Sequence, residues 1–285
     1  MSKFFFRLVV AFIIIFSLVF LYARYVEPFR LTSVELTFEN SHAAESTPDI
    51  TIAVFSDVHF DDSNNYTIDN FERVINTIND RNPDIILFLG DLIDDYAKYT
   101  RDVKYISEAL AKLDARLGKF AVYGNHDHGG GAHKVYREIM ANGGFTVFQN
   151  EYIKFEDYNI LLIGLDDFVL GSGDISIVSE SVRNDFFNVV FCHVPDVIDA
   201  ILDYSVDFMI AGHTHGSQIN LGQARSSELR NIFFPPHGRN YVRGTYFFDN
   251  AASTTLHVNS GVGTTILPLR FLAPPEVTFI TITTP

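Results

Sequence analysis

This chain predicts an α/β layered fold, on two observations. Short apolar runs of strand length alternate with stretches whose apolar residues recur at helical spacing. Polar residues suited to metal binding follow the ends of five of those runs, where ligand sites sit in open α/β sheets. The 285 residues suffice for a large core, as one domain with a short appendage. An apolar share of 47%, with 27 Phe and 13 Tyr, marks a globular chain and not a disordered one.

Residues 1–30 form the appendage. Leu8 to Ala23 is an apolar run without a charge, preceded by Phe4, Phe5 and Phe6 and bounded by Arg7 and Arg24. A helix from Phe4 to Tyr25 would reach roughly 33 Å, enough to cross a hydrocarbon core, with Arg7 snorkelling to the interface. Because it is apolar on all sides, it is no amphipathic surface helix. It reads as a single-pass transmembrane anchor, with a cleaved signal peptide as the rival. The best cleavage candidate, Leu21-Tyr22-Ala23, places a large residue where a small one is wanted. Lys3, Arg7 and the amino terminus oppose Arg24 and Arg30, so the positive-inside rule leans towards N-in and an extracytoplasmic domain while leaving the side open.

Residues 31–48 read as a polar connector with one strand candidate, Ser33–Phe38, and 49–285 as the main domain. Strands are expected at Ile50–Ser56, Ile85–Leu89, Phe120–Tyr123, Ile160–Leu165, Val189–Cys192 and Phe208–Ala211. Helices are expected at Ile68–Asn79, Val103–Leu113, Ala132–Asn142 and Pro195–Leu202, with Asn142-Gly143-Gly144 stopping the third. From Tyr246 onward, β-branched residues broken by Gly and Pro suggest several more strands. There is no internal repeat.

Five strand ends carry the polar residues. Ile50–Ser56 runs into Asp57-Val58-His59, and Ile85–Leu89 into Gly90-Asp91, with Asp94 three residues on. Phe120–Tyr123 leads to Gly124-Asn125-His126-Asp127, Val189–Cys192 to His193, and Phe208–Ala211 to Gly212-His213-Thr214-His215. One Asp-x-His arises readily by chance; five such ends in one chain do not. Mixed nitrogen and oxygen ligands without thiolate suit Mn²⁺, Fe or Zn²⁺ better than an all-oxygen calcium or magnesium cage. Two cations sharing a carboxylate can generate a hydroxide near neutral pH and clamp both oxygens of an in-line displacement at phosphorus. His126, beside Asn125 but free of any need to bind metal, is the natural general acid.

Charge and cysteine usage exclude other classes. Residues 1–30 hold four basic groups against Glu27 alone, leaving 17 basic and 34 acidic groups beyond them, a net of −17. Such a surface repels a polyanion, so long nucleic acid is an unsuitable partner. The single cysteine, Cys192, excludes a disulfide framework and a thiolate zinc site, and reads as a small buried strand residue.

The succession Asp57-x-His59, Gly90-Asp91-x-x-Asp94, Gly124-Asn125-His126-Asp127, His193 and Gly212-His213-x-His215 resembles the calcineurin-like metallophosphoesterase family over about residues 49–283. The resemblance implies a four-layer α-β-β-α sandwich with a dinuclear centre at one edge. Asp57, His59 and His215 would hold one metal; Asn125, His193 and His213 would hold the other; Asp91 would bridge them. Asn125 would also touch the phosphoryl oxygen, and His126 would protonate the leaving group with Asp94 as its orienting partner. The segment Gly261 to Phe271 with Pro274-Pro275-Glu276 is similar to the close of bacterial membrane-associated or exported members. Two positions depart from the family pattern: Phe60-Asp61 follows His59 where relatives often carry glycine, and Ser217 replaces a glycine after the last histidine. Asp95 stands where phosphoprotein phosphatases place an arginine, which argues against a protein phosphatase.

Several residues invite a weaker functional reading. Asp166 and Asp167 suit a turn or cap, and His128 a loop. His237 could line the pocket, Phe233 and Phe234 could contact lipid, and Arg239, Arg243 and Arg270 are placed to meet a diphosphate or anionic headgroup. The expected activity is hydrolysis of a phosphodiester or phosphoanhydride on a lipid-linked or membrane-proximal substrate. UDP-2,3-diacylglucosamine is the candidate the resemblance suggests, and phospholipid headgroups or wall polymers are the alternative. A non-catalytic binding module on the same fold would have lost a ligand or His126, and neither is missing.

Overall fold

The computed structural model describes residues 3–62, 68–220 and 237–285; Phe233 and Phe234 lie outside the described residues. Helix α1 (Lys3–Tyr25) precedes two six-stranded sheets. The first sheet runs β1 (Thr32–Glu39), β12 (Glu276–Thr283), β2 (Ile50–Phe55), β3 (Ile85–Phe88), β4 (Gly118–Ala121), β5 (Phe145–Val147). Its strands β2 to β5 are parallel, and β12 is antiparallel to β2. The second runs β10 (Gly244–Phe247), β11 (Thr255–Val258), β9 (Phe208–Ala211), β8 (Phe187–Phe191), β7 (Ile160–Gly164), β6 (Glu151–Phe155). Here β11, β9, β8 and β7 are parallel, with antiparallel strands at both edges.

Strand alternation explains the layering. In β2, Ile50, Ile52 and Val54 meet Leu162, Val189, Phe191, Phe208 and Ile210 of the other sheet, forming a core between the sheets. Ala53 and Phe55 point the opposite way, to α2 (Ile68–Asn79), α3 (Lys104–Ala111) and α5 (Tyr136–Asn142), through Phe71, Ile78, Ile106, Leu110 and Met140. On the second sheet's outer face, Leu161, Ile163, Val190 and Met209 pack under α6 (Ser176–Ser181) and α7 (Ile198–Ile201) through Val178, Ile198 and Ile201. Three apolar cores separate four layers, the expected α-β-β-α sandwich. Strands covered on both faces read as continuous apolar runs, which is why they were visible in the sequence.

Within the stretch 31–48, the strand candidate Ser33–Phe38 is β1, which pairs in parallel with β12 from Thr32–Glu276 to Glu39–Thr283. Its side chains alternate between half-buried and exposed, as an edge strand's do, so its apolar signal is weak. The helix expected at Ala132–Asn142 divides into a 3-10 turn (Ala132–Lys134) and α5, and that at Pro195–Leu202 into a 3-10 turn (Pro195–Val197) and α7.

Candidate metal centre

The parallel strands deliver their C-terminal ends to one edge of the sandwich. Beyond β2, β3, β8 and β9 the chain turns abruptly, and five of the expected ligands occupy left-handed backbone: Asp57 (φ 53°), His59 (50°), Asp91 (59°), His213 (71°) and His215 (53°). Such conformations are uncommon for non-glycine residues and cost about 1–2 kcal/mol each, so the surrounding structure must enforce them. The enforcing contacts are visible. Gly90 O accepts from Asp57 N–H (3.0 Å), Asp91 O accepts from His59 N–H (3.1 Å), and both Asp57 carboxylate oxygens accept from His213 N–H (3.2 Å). The last contact ties the two sheets together across the site.

The glycines permit a close crossing. Gly90 (φ 95°) lies against the Gly124 backbone, and a Cβ on Gly124 would collide with the Asp91 carboxylate. Asn125 opens a single helical turn, α4 (Asn125–His128), just beyond that crossing.

Three groups of side chains each bring ligand atoms within 4.8 Å of one another: Asp57, His59 and His215; His59, Asp91 and His126; Asp91, His193 and His213. His215 Nε2 is 3.5 Å from Asp57 Oδ1, and His59 Nε2 is 3.4 Å from Asp91 Oδ2. His193 Nε2 is 3.3 Å from Asp91 Oδ2 and 3.2 Å from Asn125 Oδ1, while His213 Nδ1 lies 3.1 Å from it. Asp91, a member of the second and third groups, therefore links His59 of the first group to His193 of the third.

The donor set fits divalent cations. His193 donates Nδ1–H to Leu89 O (2.8 Å) and His59 donates Nδ1–H to Asp94 Oδ1 (2.9 Å), so each ring turns its Nε2 inward. His59 Nε2 and His215 Nδ1 are buried atoms with no hydrogen-bond partner. Asp57 and Asp91 are buried carboxylates sharing one cleft. Burial, reinforced by Asp91, raises the Asp57 carboxyl; burial also opposes ionisation of Asp91, but His193 and His59 outweigh it and hold Asp91 below the usual range. Burial disfavours charge on His59 and His193, yet the neighbouring aspartates push both up to about 10. A cleft with that much negative potential is one that metal ions neutralise.

Comparison with known proteins decides the family. The sequence model of the calcineurin-like phosphoesterases matches residues 50–217, more than half of the chain. The chain belongs to the calcineurin-like phosphoesterase family. It is 39% identical over 264 residues to the metallophosphoesterase YkuE of Bacillus subtilis (strain 168), covering 92% of this chain and 88% of that protein. A metallophosphoesterase of Aquifex aeolicus (strain VF5) is 27% identical, covering 90% of this chain and 94% of the relative. The UDP-2,3-diacylglucosamine pyrophosphatase LpxG of Chlamydia muridarum (strain MoPn / Nigg) is 25% identical, covering 91% and 92%. This metallophosphoesterase is thus a metal-dependent phosphohydrolase, with clustered Asp and His residues suited to divalent ions.

Around the cluster, the structure of this metallophosphoesterase redistributes several expected roles. The Asp94 carboxylate is 2.9 Å from His59 Nδ1 but 3.8 Å from His126 Nδ1; the ring of His126 meets the Asp94 backbone carbonyl instead. Asp94 therefore orients His59 by its side chain and His126 by its main chain. Burial opposes its ionisation, but the bonds from His59 and Thr265 outweigh this and bring Asp94 down to about 2. Arg270, expected to meet an anionic substrate, is fully buried. Its guanidinium donates to the carbonyls of His215, Ser260, Gly261, Gly263 and Ala273, clamping the loop behind His215. Arg243 donates to Leu272 O (2.9 Å).

Asp127 is the residue whose part in the site the sequence reading passed over. Fully buried, it accepts from Asp91 N–H (2.7 Å), Leu92 N–H (2.9 Å) and Gly124 N–H (2.8 Å), stitching the β3 and β4 loops together. Its burial, with Asp91 alongside, lifts it to about 7. Its signal was its place inside the Gly-Asn-His-Asp motif. Asp167 accepts from Val169, Leu170 and Gly171 N–H, and Asp166 from Ser172 N–H, so both serve a turn; Asp166 also holds His128 Nε2 at 2.7 Å. His237 is exposed, and Cys192 is a buried thiol that burial pushes well up.

Proposed function

We propose that the chain hydrolyses a phosphodiester or phosphoanhydride at a dinuclear centre, on a lipid-linked or membrane-proximal substrate of the UDP-2,3-diacylglucosamine type. One observation carries the reading: Asp91 lies in two of the three ligand groups, between Asp57, His59 and His215 on one side and His193 and His213 on the other. Asp57, His59 and His215 would hold one ion, and Asn125, His193 and His213 the second, with Asp91 common to both. Bound divalent ions supply an activated water and neutralise charge on the phosphoryl oxygens. The chain's own groups do the rest. Asn125, at the start of its helical turn, presents its amide towards the cleft shared with His193 and so meets a phosphoryl oxygen. Within the three Asp and His ligand groups His126 is the residue that is not buried, with 30% exposure of its side chain, which suits a group that meets the leaving oxygen at the mouth. Its backbone N–H is fixed on Asp91 Oδ1 (2.9 Å) and its Nδ1 on Asp94 O, leaving Nε2 to deliver a proton.

The lipid-linked substrate rests on two supports. LpxG, similar over nine-tenths of the chain, is a pyrophosphatase of UDP-2,3-diacylglucosamine, and α1 is apolar and long enough to span a membrane (mean hydropathy 2.8), with Leu8 to Leu21 exposed. Residues 1–30 are accordingly read as an anchor and 31–285 as the catalytic domain. The full chain, stripped of metal in detergent and resupplied with Mn²⁺, is expected to cleave a chromogenic phosphodiester and UDP-2,3-diacylglucosamine. Asp91→Ala is expected to abolish both activities. Inactivity with every divalent metal, on mono- and diesters alike, would overturn the reading.

A further inference from the structure

The strand register shows where α1 leaves the body. Thr32, the first residue of β1, pairs with Glu276, the first of β12, and Thr278 pairs with Val54 near the end of β2. The starts of β1 and β12 and the end of β2 therefore share the edge that carries Asp57. The last turn of α1 seats on the segment before β12: Ala23 O accepts from Arg270 N–H (2.9 Å), the Tyr22 ring meets Phe271 edge-on (6.4 Å between centroids), and Glu27 Oε1 accepts from Ala273 N–H (2.6 Å).

That segment carries an unusual display. Ile266 is 91% exposed, Leu267 52% and Leu272 56%. Among the described residues after Val26, the only other exposed large aliphatic side chain is Leu170. Ile266 (φ 61°) and Leu272 (φ 57°) hold left-handed backbone, so two residues poorly suited to that conformation are fixed in it with their side chains outward. The root of the loop is bonded to the site, since Thr265 Oγ1 donates to Asp94 Oδ1 (2.6 Å).

We propose that the loop 264–272 lies in the interfacial layer of the membrane that α1 enters, so that the mouth of the metal site is held against the bilayer. The proposal rests on reading α1 as a membrane anchor. A bilayer is the occupant because the apolar loop is continuous with a helix whose exposed surface from Leu8 to Leu21 is apolar but for Ser17. Charge agrees: the body is acidic, yet Arg243 donates to Leu272 O, Arg30 donates to the hydroxyl of Tyr22, whose ring meets Phe271, and Arg24 adjoins Ala23, whose carbonyl accepts from Arg270 N–H; such cations suit lipid phosphates.

The test uses the full chain with Ile266→Cys, labelled in detergent with an environment-sensitive fluorophore; buried Cys192 does not compete. The label is followed after reconstitution into phosphatidylcholine–phosphatidylglycerol vesicles, with Asp114→Cys, before β4 at the opposite edge, as the control. The expected result is blue-shifted emission at 266, quenched roughly twofold or more by lipids bearing nitroxides near the headgroup, and no change at 114. If the chain does not float with the vesicles, the anchor reading falls and the proposal with it. If it floats and the label at 266 stays water-like, the loop proposal alone is overturned. As a second measurement, the double variant Ile266→Asp, Leu267→Asp is expected to keep its rate on a soluble chromogenic diester. Its rate on an amphiphilic diester in vesicles should fall roughly tenfold. Equal loss on both substrates would mean a structural defect and overturn the assignment.

Discussion

Asp127 and Gly124 hold Asp91 in place without offering an atom to a metal. The carboxylate of Asp127 gathers three backbone N–H groups, and the bare Cα of Gly124 leaves room for the Asp91 side chain. Gly124→Ala is therefore expected to displace Asp91 and lower kcat by about a hundredfold, as a misplacement near 1 Å does, with a matching fall in bound metal by elemental analysis. His126 makes a different prediction, because its ring is held at the mouth. His126→Ala should slow an alkyl phosphodiester by roughly 10²–10⁴ and a nitrophenyl ester far less, since nitrophenolate leaves without a proton; equal losses would contradict the acid role. The identities of the candidate ligands were legible in the sequence because each follows an apolar strand. The hydrogen-bonding roles of Asp94, Asp127 and Arg270 were not, since they depend on which loops touch. Arg270 lies 55 residues from the His215 carbonyl it supports, and charge alone suggested an outward-facing group.

At the scale of elements, the edge beside the site is joined by a polar network instead of apolar packing. Glu276 of β12 accepts from His257 Nε2 of β11 (2.8 Å), Ser260 Oγ (3.2 Å) and Thr278 Oγ1 (2.9 Å), all buried, and so links one sheet to the other. Burial opposes ionisation of Glu276, but the bonds from His257, Thr278 and Ser260 outweigh it and hold the carboxyl below its ordinary 4.5. A folded pKa below the unfolded one contributes stability that is present above pH 4.5 and is lost as pH falls through the folded value. Glu276→Gln should accordingly cost on the order of 2 kcal/mol at pH 7 by urea denaturation, with the difference from wild type shrinking below pH 4.5. This region shows where sequence reading fades. Strands β2, β3 and β9, buried on both faces, announced themselves, and the candidate at Ser33–Phe38 is β1; β6 at a sheet edge and the three-residue β5 gave no such sign, because half-exposed or short strands carry little apolar signal.

For the whole molecule, metal and fold are coupled. Two buried carboxylates and a set of strained turns converge on one cleft, so ions that bind only the folded chain stabilise it. At a free metal concentration about a hundredfold above Kd the gain is about 2.7 kcal/mol, and chelation should lower Tm by roughly 5–10 °C, reversibly on adding Mn²⁺. An unchanged Tm would mean that the cleft holds no ion in the folded protein. The apolar N-terminal helix and the layered body were both readable from residue patterns, but their relative placement was not, because it depends on the parallel pairing of β1 with β12. The proposed seating of loop 264–272 on the bilayer, with the proposed lipid-linked substrate, has a kinetic consequence. A catalyst whose opening rests on a lipid plane meets its substrate by lateral diffusion, so its rate follows the substrate's mole fraction among lipids and not its bulk molarity. Diluting the target with inert lipid at constant total substrate should slow turnover, and the two products should part company, the hydrophilic fragment to water and the acylated one to the leaflet.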